Sequence, residues 1–584
     1  MLPKQKNSFQ LATCVASFYG PEGCMRETLE AQPIAASTGD WHSQFRVSLK
    51  AAGSGVDLIR FVTRIKCGQA WYLSADRKLS LLEGEVSPPF PVGRFIVVET
   101  GDGLFKVSFL WGGSFRLRSE RGAAEITIDV KDRAACGLSF WGDDKLRDPF
   151  GSRDFTISID RLTALSECIW LEPYPEGARA AICLTDHADF DSIETMRLLV
   201  PAFIRNGIRF TKSVFPHSDP HPRKREPGLD VPEYACLIDE LYATGSEIAF
   251  HGLTPRVQAP GIEECARRTQ MMARYAPQTW IDHGSGAYLF SRNGYLPNGR
   301  RLVDVLDRYG ILNYWSYFDL WDNPSTHLCC WRPRRRRDVL HGFRHAAARS
   351  ASLKQKTYFG LHELRNLLGE QAVNGIRKHP LRPSAWRKAL VDHQRLLHLR
   401  RHPFVLYGPD ASAFGSDASQ RLIFDTVLLN HPGTQLGPEA VETLYHDSGL
   451  LLAHVYLSCR HDYALDAAVE YHRGTLRLGS KFEANLQHLG ERQRRGEIVT
   501  LTVAALRNAL LAHARAGVRR TERGWMLNSE NEPACLAGDA EYVKRLVCCK
   551  SEKRIAGATG YLVVRSSEPV GLFESCSAAE LELV

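Results

Sequence analysis

The stretch Ala181-Ile182-Cys183-Leu184-Thr185-Asp186-His187-Ala188-Asp189 decides how this chain is read. Four apolar residues deliver two carboxylates and an imidazole, as a buried strand does when it empties into an acidic loop. Strands buried on both faces belong to parallel sheets, where ligands and catalytic groups gather beyond the carboxyl ends. The same residues also suit a plain capping loop, since Asp191 or Ser192 can cap a helix beginning near Ile193. The elements that follow favour the first reading.

Downstream, short apolar runs alternate with helical periodicity. Strands are expected at Ala181 to Thr185, Arg209 to Phe215, Glu247 to His251, Thr279 to Asp282, Ile311 to Ser316, Gly449 to Tyr456 and Ile498 to Leu501. Helices are expected between them, one carrying Met196, Leu199, Val200, Phe203 and Ile204, another Cys236, Leu237, Leu241 and Tyr242. Such alternation implies an α/β fold with a mainly parallel sheet, and the number of strands fits closure into a (β/α) barrel. Upstream the period is two: Phe45, Val47 and Leu49, then Phe105, Val107, Phe109 and Trp111, then Ile126, Ile128 and Val130. Half-buried antiparallel strands of a sandwich-like domain follow, with a hairpin from Arg94 to Trp111 turning at Gly101-Asp102-Gly103. Its aromatics are expected in the core more than on a sugar-binding face.

Two prolines and a glycine in Glu172 to Gly177 mark a linker. The expected organisation is a β-rich domain over 1–172, a barrel over 173–518 with a helical insertion at about 323–438, and a β-containing appendage over 519–584. At 584 residues two to four domains are expected, and 44% hydrophobic with 24% charged residues is an ordinary globular composition. No apolar run is long enough for a membrane span, and Met1 to Cys24 makes a poor signal peptide. The net charge of +8 is partly local, in Arg332 and Arg334 to Arg337, and reads as a solvated loop, so no nucleic-acid partner is expected. The 15 cysteines are scattered and form no Cys-x-x-Cys pair, which points to a reducing, cytoplasmic location.

Several strands end in carboxylates or imidazoles: Asp186, His187 and Asp189, then His251, then Asp282 and His283, then His454. Residues at the carboxyl ends of barrel strands converge on one site, and this mixture is the ligand set of a catalytic divalent ion. The polar sequel Tyr456, Ser458, Arg460, His461 and Asp462 supports a site at the last of these ends, worked by His454 or His461.

In this order the motifs resemble those of the polysaccharide deacetylases, metal-dependent carbohydrate esterases on a distorted (β/α) barrel. The family's Thr-Phe-Asp-Asp-Gly is similar to Thr185-Asp186-His187-Ala188-Asp189, with the carboxylates spread. Its Gly-His-Glu-Ile segment, ending in a metal-binding histidine, resembles Gly245-Ser246-Glu247-Ile248-Ala249-Phe250-His251. Its later Asp and Trp resemble Asp319-Leu320-Trp321-Asp322, and its Leu-x-His is matched by Leu452-Ala453-His454. The likeness runs from about Arg179 to Ala516 once the insertion is removed.

The resemblance implies a hydrolase that removes an N-acyl group from an amino sugar or related glycan amide, with a divalent metal, zinc expected. Asp189 and His251 would be ligands, Asp186 the base that activates water, and His454 the acid that protonates the leaving amine or stabilises the tetrahedral intermediate. Asp319, Trp321 and Tyr288 would bind substrate. The family's second metal histidine falls on Pro255, so His283 is the candidate third ligand and His187 the next. Its Arg-Pro-Pro motif is replaced by Trp280-Ile281-Asp282-His283-Gly284. Two other classes stay open: a non-catalytic carbohydrate-binding or scaffold protein on the same barrel, and a glycosidase pairing Asp186 with Asp319 or Asp282.

Overall fold

The computed structural model describes residues 14–131, 153–282, 309–321, 404–407, 421–459, 466–547 and 551–574, apart from short breaks within these stretches. Alternation along the N-terminal strands puts every second residue on one face, and two such faces close on each other. One antiparallel sheet has six strands, among them Leu58–Lys66, Ser114–Glu120 and Ala123–Lys131; the other has seven, among them Phe95–Thr100, Gly103–Leu110 and Arg153–Leu162. Phe61, Leu117 and Ile126 of the first meet Ile96, Phe105, Val107 and Ile157 of the second in a common core. The strand aromatics Phe105 and Phe109 are therefore spent on packing, where each buried ring contributes about 1.5–3 kcal/mol. In the hairpin, Thr100 lies opposite Gly103, leaving Gly101-Asp102 as a two-residue turn that Gly103 leaves at a φ of 128°.

The outward residues Leu73, Phe95 and Val97 of the second sheet are buried as well, against Trp525, Leu527, Leu536 and Tyr542. Tyr542 belongs to the short helix Ala540–Arg545, and Trp525, Leu527 and Leu536 to two four-stranded sheets built mostly from C-terminal residues. One of them takes in Ile169–Glu172, which pairs antiparallel with Ala534–Asp539. Beyond Glu172 the linker is packed, with Tyr174 buried before a short turn at Pro175–Gly177.

Eight parallel strands follow: β1 (Ala180–Asp186), β2 (Thr211–Val214), β3 (Glu247–His251), β4 (Thr279–Ile281), β5 (Asn313–Trp321), β6 (Arg421–Leu429), β7 (Leu450–Val455) and β8 (Ile498–Thr500). Their neighbours run β2-β3-β4-β5-β6-β7-β1, and β1 returns to β2 through Thr185 and Asp186, so the sheet curls back on its beginning. β8 lies against the first half of β1, at Ala180 to Ile182. All seven residues of β1 are buried, which explains its unbroken apolar run.

Helices α1 (Ile193–Asn206), α2 (Pro232–Ala243), α3 (Pro438–His446), α4 (Ser480–Arg494) and α5 (Val503–Arg515) connect or follow these strands. The cap of α1 is Ser192, whose hydroxyl accepts from the Thr195 N–H while Thr195 reciprocates, and α1 ends at Gly207 with a φ of 65°. The apolar stripe of α1 buries Met196, Leu199, Val200 and Phe203 against the sheet.

The expected insertion is corrected at one point. β6 falls inside 323–438 yet is a sheet strand, parallel to β5 and β7, with Phe404–Tyr407 antiparallel beside it. Asp425-Thr426 interrupts its apolar pattern, but Thr426 is buried and accepts the Trp315 indole N–H at 2.8 Å. The arginine run lies outside the described residues, as does nearly all of the stretch from 323 to 403 where the helices of the insertion were expected.

The sandwich meets the sheet at the amino ends of its strands. The Ala75 carbonyl, in the turn after Leu73, accepts from Arg179 at 2.6 Å and from Ser448 at 2.7 Å, residues that precede β1 and β7. Beside it the Arg77 guanidinium donates twice to Glu172 at 2.8 Å, both side chains sealed from water. This leaves the carboxyl ends of the strands to other contacts.

Candidate metal centre

Three strands of the curled sheet bring their last residues, or the turn beyond them, together at one end. β1 brings Asp186 and the turn His187 to Phe190, β3 brings His251, and β7 brings His454. The His187 ring stacks face to face on His454, with centroids 3.6 Å apart and 20° between planes. It lies 5.1 Å from the His251 ring and meets Trp315 of β5 edge-on at 4.8 Å. The His251 Nε2 is 2.9 Å from Asp189 Oδ2. One ligand atom from each of His187, Asp189 and His251 lies within 4.8 Å of the other two.

The donor set fits a divalent ion. Two ligands held tetrahedrally by one ion at about 2.1 Å stand about 3.4 Å apart, so the widest pair would close by up to about 1.4 Å on binding. The buried Nε2 of His187 has no hydrogen-bond partner among the described residues, a costly arrangement for a polar atom unless something else binds there. Burial drives the His187 imidazolium well below the usual histidine range, with His454 and His251 adding to the effect and Asp189 opposing it. A neutral ring with a buried, unpartnered nitrogen is the form that ligates metal. Asp189, at 23% side-chain exposure, is the member of the cluster nearest to solvent.

Asp186 stands apart from these three. One of its oxygens accepts from the Lys212 ammonium at 2.6 Å and the other from the Leu457 N–H at 2.9 Å. Burial raises its carboxyl to about 6, Lys212 opposing and Asp191 reinforcing that rise. Lys212 reaches Asp191 as well, at 2.8 Å. Burial alone would lower the Lys212 ammonium, but the two carboxylates outweigh it and hold it above its ordinary range. Asp191 further accepts from Tyr234 at 2.6 Å and from Ser458 at 2.9 Å, and the Tyr234 hydroxyl is driven far up by burial and by Asp191. The base expected at Asp186 is thus a sealed carboxylate with both oxygens already engaged.

The structure gathers Asp186, His187, Asp189, His251 and His454 at one end of the sheet. Among the described residues, His187 takes the place beside Asp189 and His251 for which His283 was the first candidate. His283, Tyr288, Pro255 and His461 lie outside the described residues, as do the side chains of Asp319 and Trp321 on β5. Asp282 is buried and accepts the Trp280 indole N–H at 2.7 Å. Sequence reading missed Lys212, Tyr234 and Trp315, and named Ser458 only as part of the polar sequel to β7. The signal for Lys212 was present: a lysine inside Phe210-Thr211-Lys212-Ser213-Val214-Phe215, a run whose neighbours demand burial, needs anionic partners.

No family model and no curated protein matches the chain. Among solved structures it is similar to a glycoside hydrolase family 97 enzyme from Pseudoalteromonas sp. strain K8, at 12% identity over 53% of this chain and 60% of that one, with a TM-score of 0.21. The matched part thus spans less than two thirds of that enzyme. A GH31 family sulfoquinovosidase from E. rectale gives 8% identity over 67% of this chain and 82% of that one, with a TM-score of 0.21. A xylosidase from Aspergillus niger gives 10% identity over 98% of this chain and 89% of that one, with a TM-score of 0.23. Superpositions this loose carry no argument about chemistry.

Proposed function

We propose that this chain is a divalent-metal-dependent hydrolase of the polysaccharide deacetylase type, cleaving the amide of an N-acylated amino sugar or related glycan. The observation that carries this reading is the cluster of His187, Asp189 and His251, with His454 stacked on one ligand. Charge supports it: formal charges on Asp186, Asp189, Asp191 and Lys212 leave two net negative charges in a largely buried site, which a divalent cation balances. A metal held there supplies Lewis acidity, acidifying water and polarising an acyl oxygen.

The protein's own groups have separate tasks in this scheme. His187 and Asp189 from the turn after β1 and His251 from β3 would hold the ion. His454, stacked over His187, would move a proton to the departing amine while water adds to the acyl carbon, giving a free acid and an amine. Asp186, held by Lys212 and Leu457, acts from beneath as an anchor of the ligand turn.

The test is metal content and product chemistry together. Wild type is expected to hold about one equivalent of zinc or a similar ion, lost in His251→Ala and Asp189→Asn, and to release acetate from N-acetylated amino sugars. Release of reducing sugar without acetate would replace this reading with a glycosidase. A protein offered several metals that retains none would leave the barrel a binding scaffold.

A further inference from the structure

We infer that Lys212 is a positioning residue that presets the metal-ligand turn by stapling both of its ends with one ammonium; this rests on the metal-centre reading above. Asp186 and Asp191 bracket the four residues His187 to Phe190, which carry two of the three ligands. The same Nζ lies 2.6 Å from Asp186 and 2.8 Å from Asp191, and none of the three side chains is more than 1% exposed. Every other bond to the two carboxylates comes from a different element. Leu457 and Ser458 follow β7, the strand that carries His454, and Tyr234 lies on α2. Thr195, in the first turn of α1, donates to Ser458 at 3.0 Å. The staple therefore ties the ligand turn to β2, α1, α2 and the His454 strand at once.

Stability alone does not account for such a group. A buried ion triplet is often no more stable than apolar side chains of the same volume, because desolvation offsets the attraction. What an apolar triplet cannot do is fix the turn in one register, since dispersion contacts tolerate sliding and charge-assisted hydrogen bonds do not. Ligands on a short turn have to be held to within about 0.5 Å for tight coordination, a task that falls to the groups behind them. Lys212 thus contributes to metal affinity without touching the metal.

The experiment measures zinc affinity of the full chain by chelator competition, and the visible spectrum of the cobalt-loaded protein, for wild type, Lys212→Met, Asp191→Asn and Glu172→Gln. Lys212→Met and Asp191→Asn are expected to weaken zinc binding about tenfold to a hundredfold and to alter the cobalt spectrum. Glu172→Gln removes a buried ion pair at the other end of the sheet, so it is expected to lower stability and leave affinity unchanged. Should Lys212→Met fail to fold, Asp191→Asn gives the answer, since it keeps the Lys212 bond to Asp186. Wild-type affinity in folded Lys212→Met or Asp191→Asn overturns the inference while the metal centre stands. Tighter binding or a second equivalent in Lys212→Met also overturns it, because Lys212 would then be standing in for a cation. No zinc in wild type overturns the metal-centre reading and the staple with it.

Discussion

Replacing His187 by Leu separates the cost of a functional side chain from its use. In the folded protein the imidazole is buried and its Nε2 has no partner among the described residues. Leaving such an atom unsatisfied costs about 1–3 kcal/mol relative to an apolar group of the same shape. Leucine is of similar size but forfeits the stack on His454, and a volume-conserving swap of this kind costs up to about 1.5 kcal/mol. In chelator the variant is therefore expected to lie between about 0.5 kcal/mol less stable and about 3 kcal/mol more stable than wild type. With free zinc at a hundred times its dissociation constant, wild type gains about 2.7 kcal/mol and the variant nothing. The assay is urea unfolding followed by circular dichroism, with EDTA and with buffered zinc, comparing the transition that zinc moves. A variant that loses more than about 2 kcal/mol in EDTA would refute the idea that the ring is tolerated for metal binding. So would a zinc-induced shift equal to that of wild type.

Three further outcomes follow from other parts of the fold. Glu172→Gln breaks the paired hydrogen bonds donated by Arg77 and disturbs the one donated by the Trp170 indole N–H at 2.9 Å, and is expected to cost about 3 kcal/mol by thermal or urea unfolding. A cost below about 1 kcal/mol would mean that the latch between sandwich and sheet is ornamental. His513 donates to the Leu171 carbonyl and is pushed down from 6.5 to about 3, by burial first and then by Arg94. The folded state thus binds this proton less well than the unfolded chain, so stability is intact above pH 6.5 and falls as pH drops toward 3. For a half-buried ring the loss at pH 5 is about 1–2 kcal/mol, and His513→Gln is expected to remove that part of the acid slope in unfolding curves taken from pH 7 to 5. In α4, a Cβ on Gly490 would sit 2.6 Å from the Asn206 carbonyl at the end of α1, so Gly490→Ala is expected to cost about 1–3 kcal/mol. An unchanged melting temperature in that variant would show the two helices free to part.

Local pattern carried the sequence reading far in some places and not in others. β1, β3 and β7 were visible because burial on both faces leaves an unbroken apolar run, and His251 and His454 stood out as the polar residues ending such runs. The hairpin at Gly101-Asp102 was visible because a two-residue turn has few acceptable residues. β6 was hidden because Thr426 satisfies its hydroxyl on Trp315, a partner that no local pattern announces. The partners of Lys212 were hidden for a similar reason: its two carboxylates lie on the neighbouring strand and in the turn beyond it, and pairing across a sheet is set by tertiary register. The stack of His187 on His454 belongs to the same class, since β1 and β7 are neighbours in the sheet though far apart in the chain.

That closure also sets the order in which the chain can be made. β1 is complete at residue 186, but its long partner β7 begins at residue 450, some 260 residues later. At about 5–20 residues per second on the ribosome, a strand destined for complete burial waits roughly 13–50 s for its neighbour. β2 arrives early but covers only Thr185 and Asp186, and β8, which covers the other end, comes last of all. During synthesis Ala181 to Leu184 is thus an open sheet edge, of the kind that pairs with other chains when nothing shields it. Crowded or accelerated expression is where this protein would be lost to aggregation, before any question of its finished stability arises.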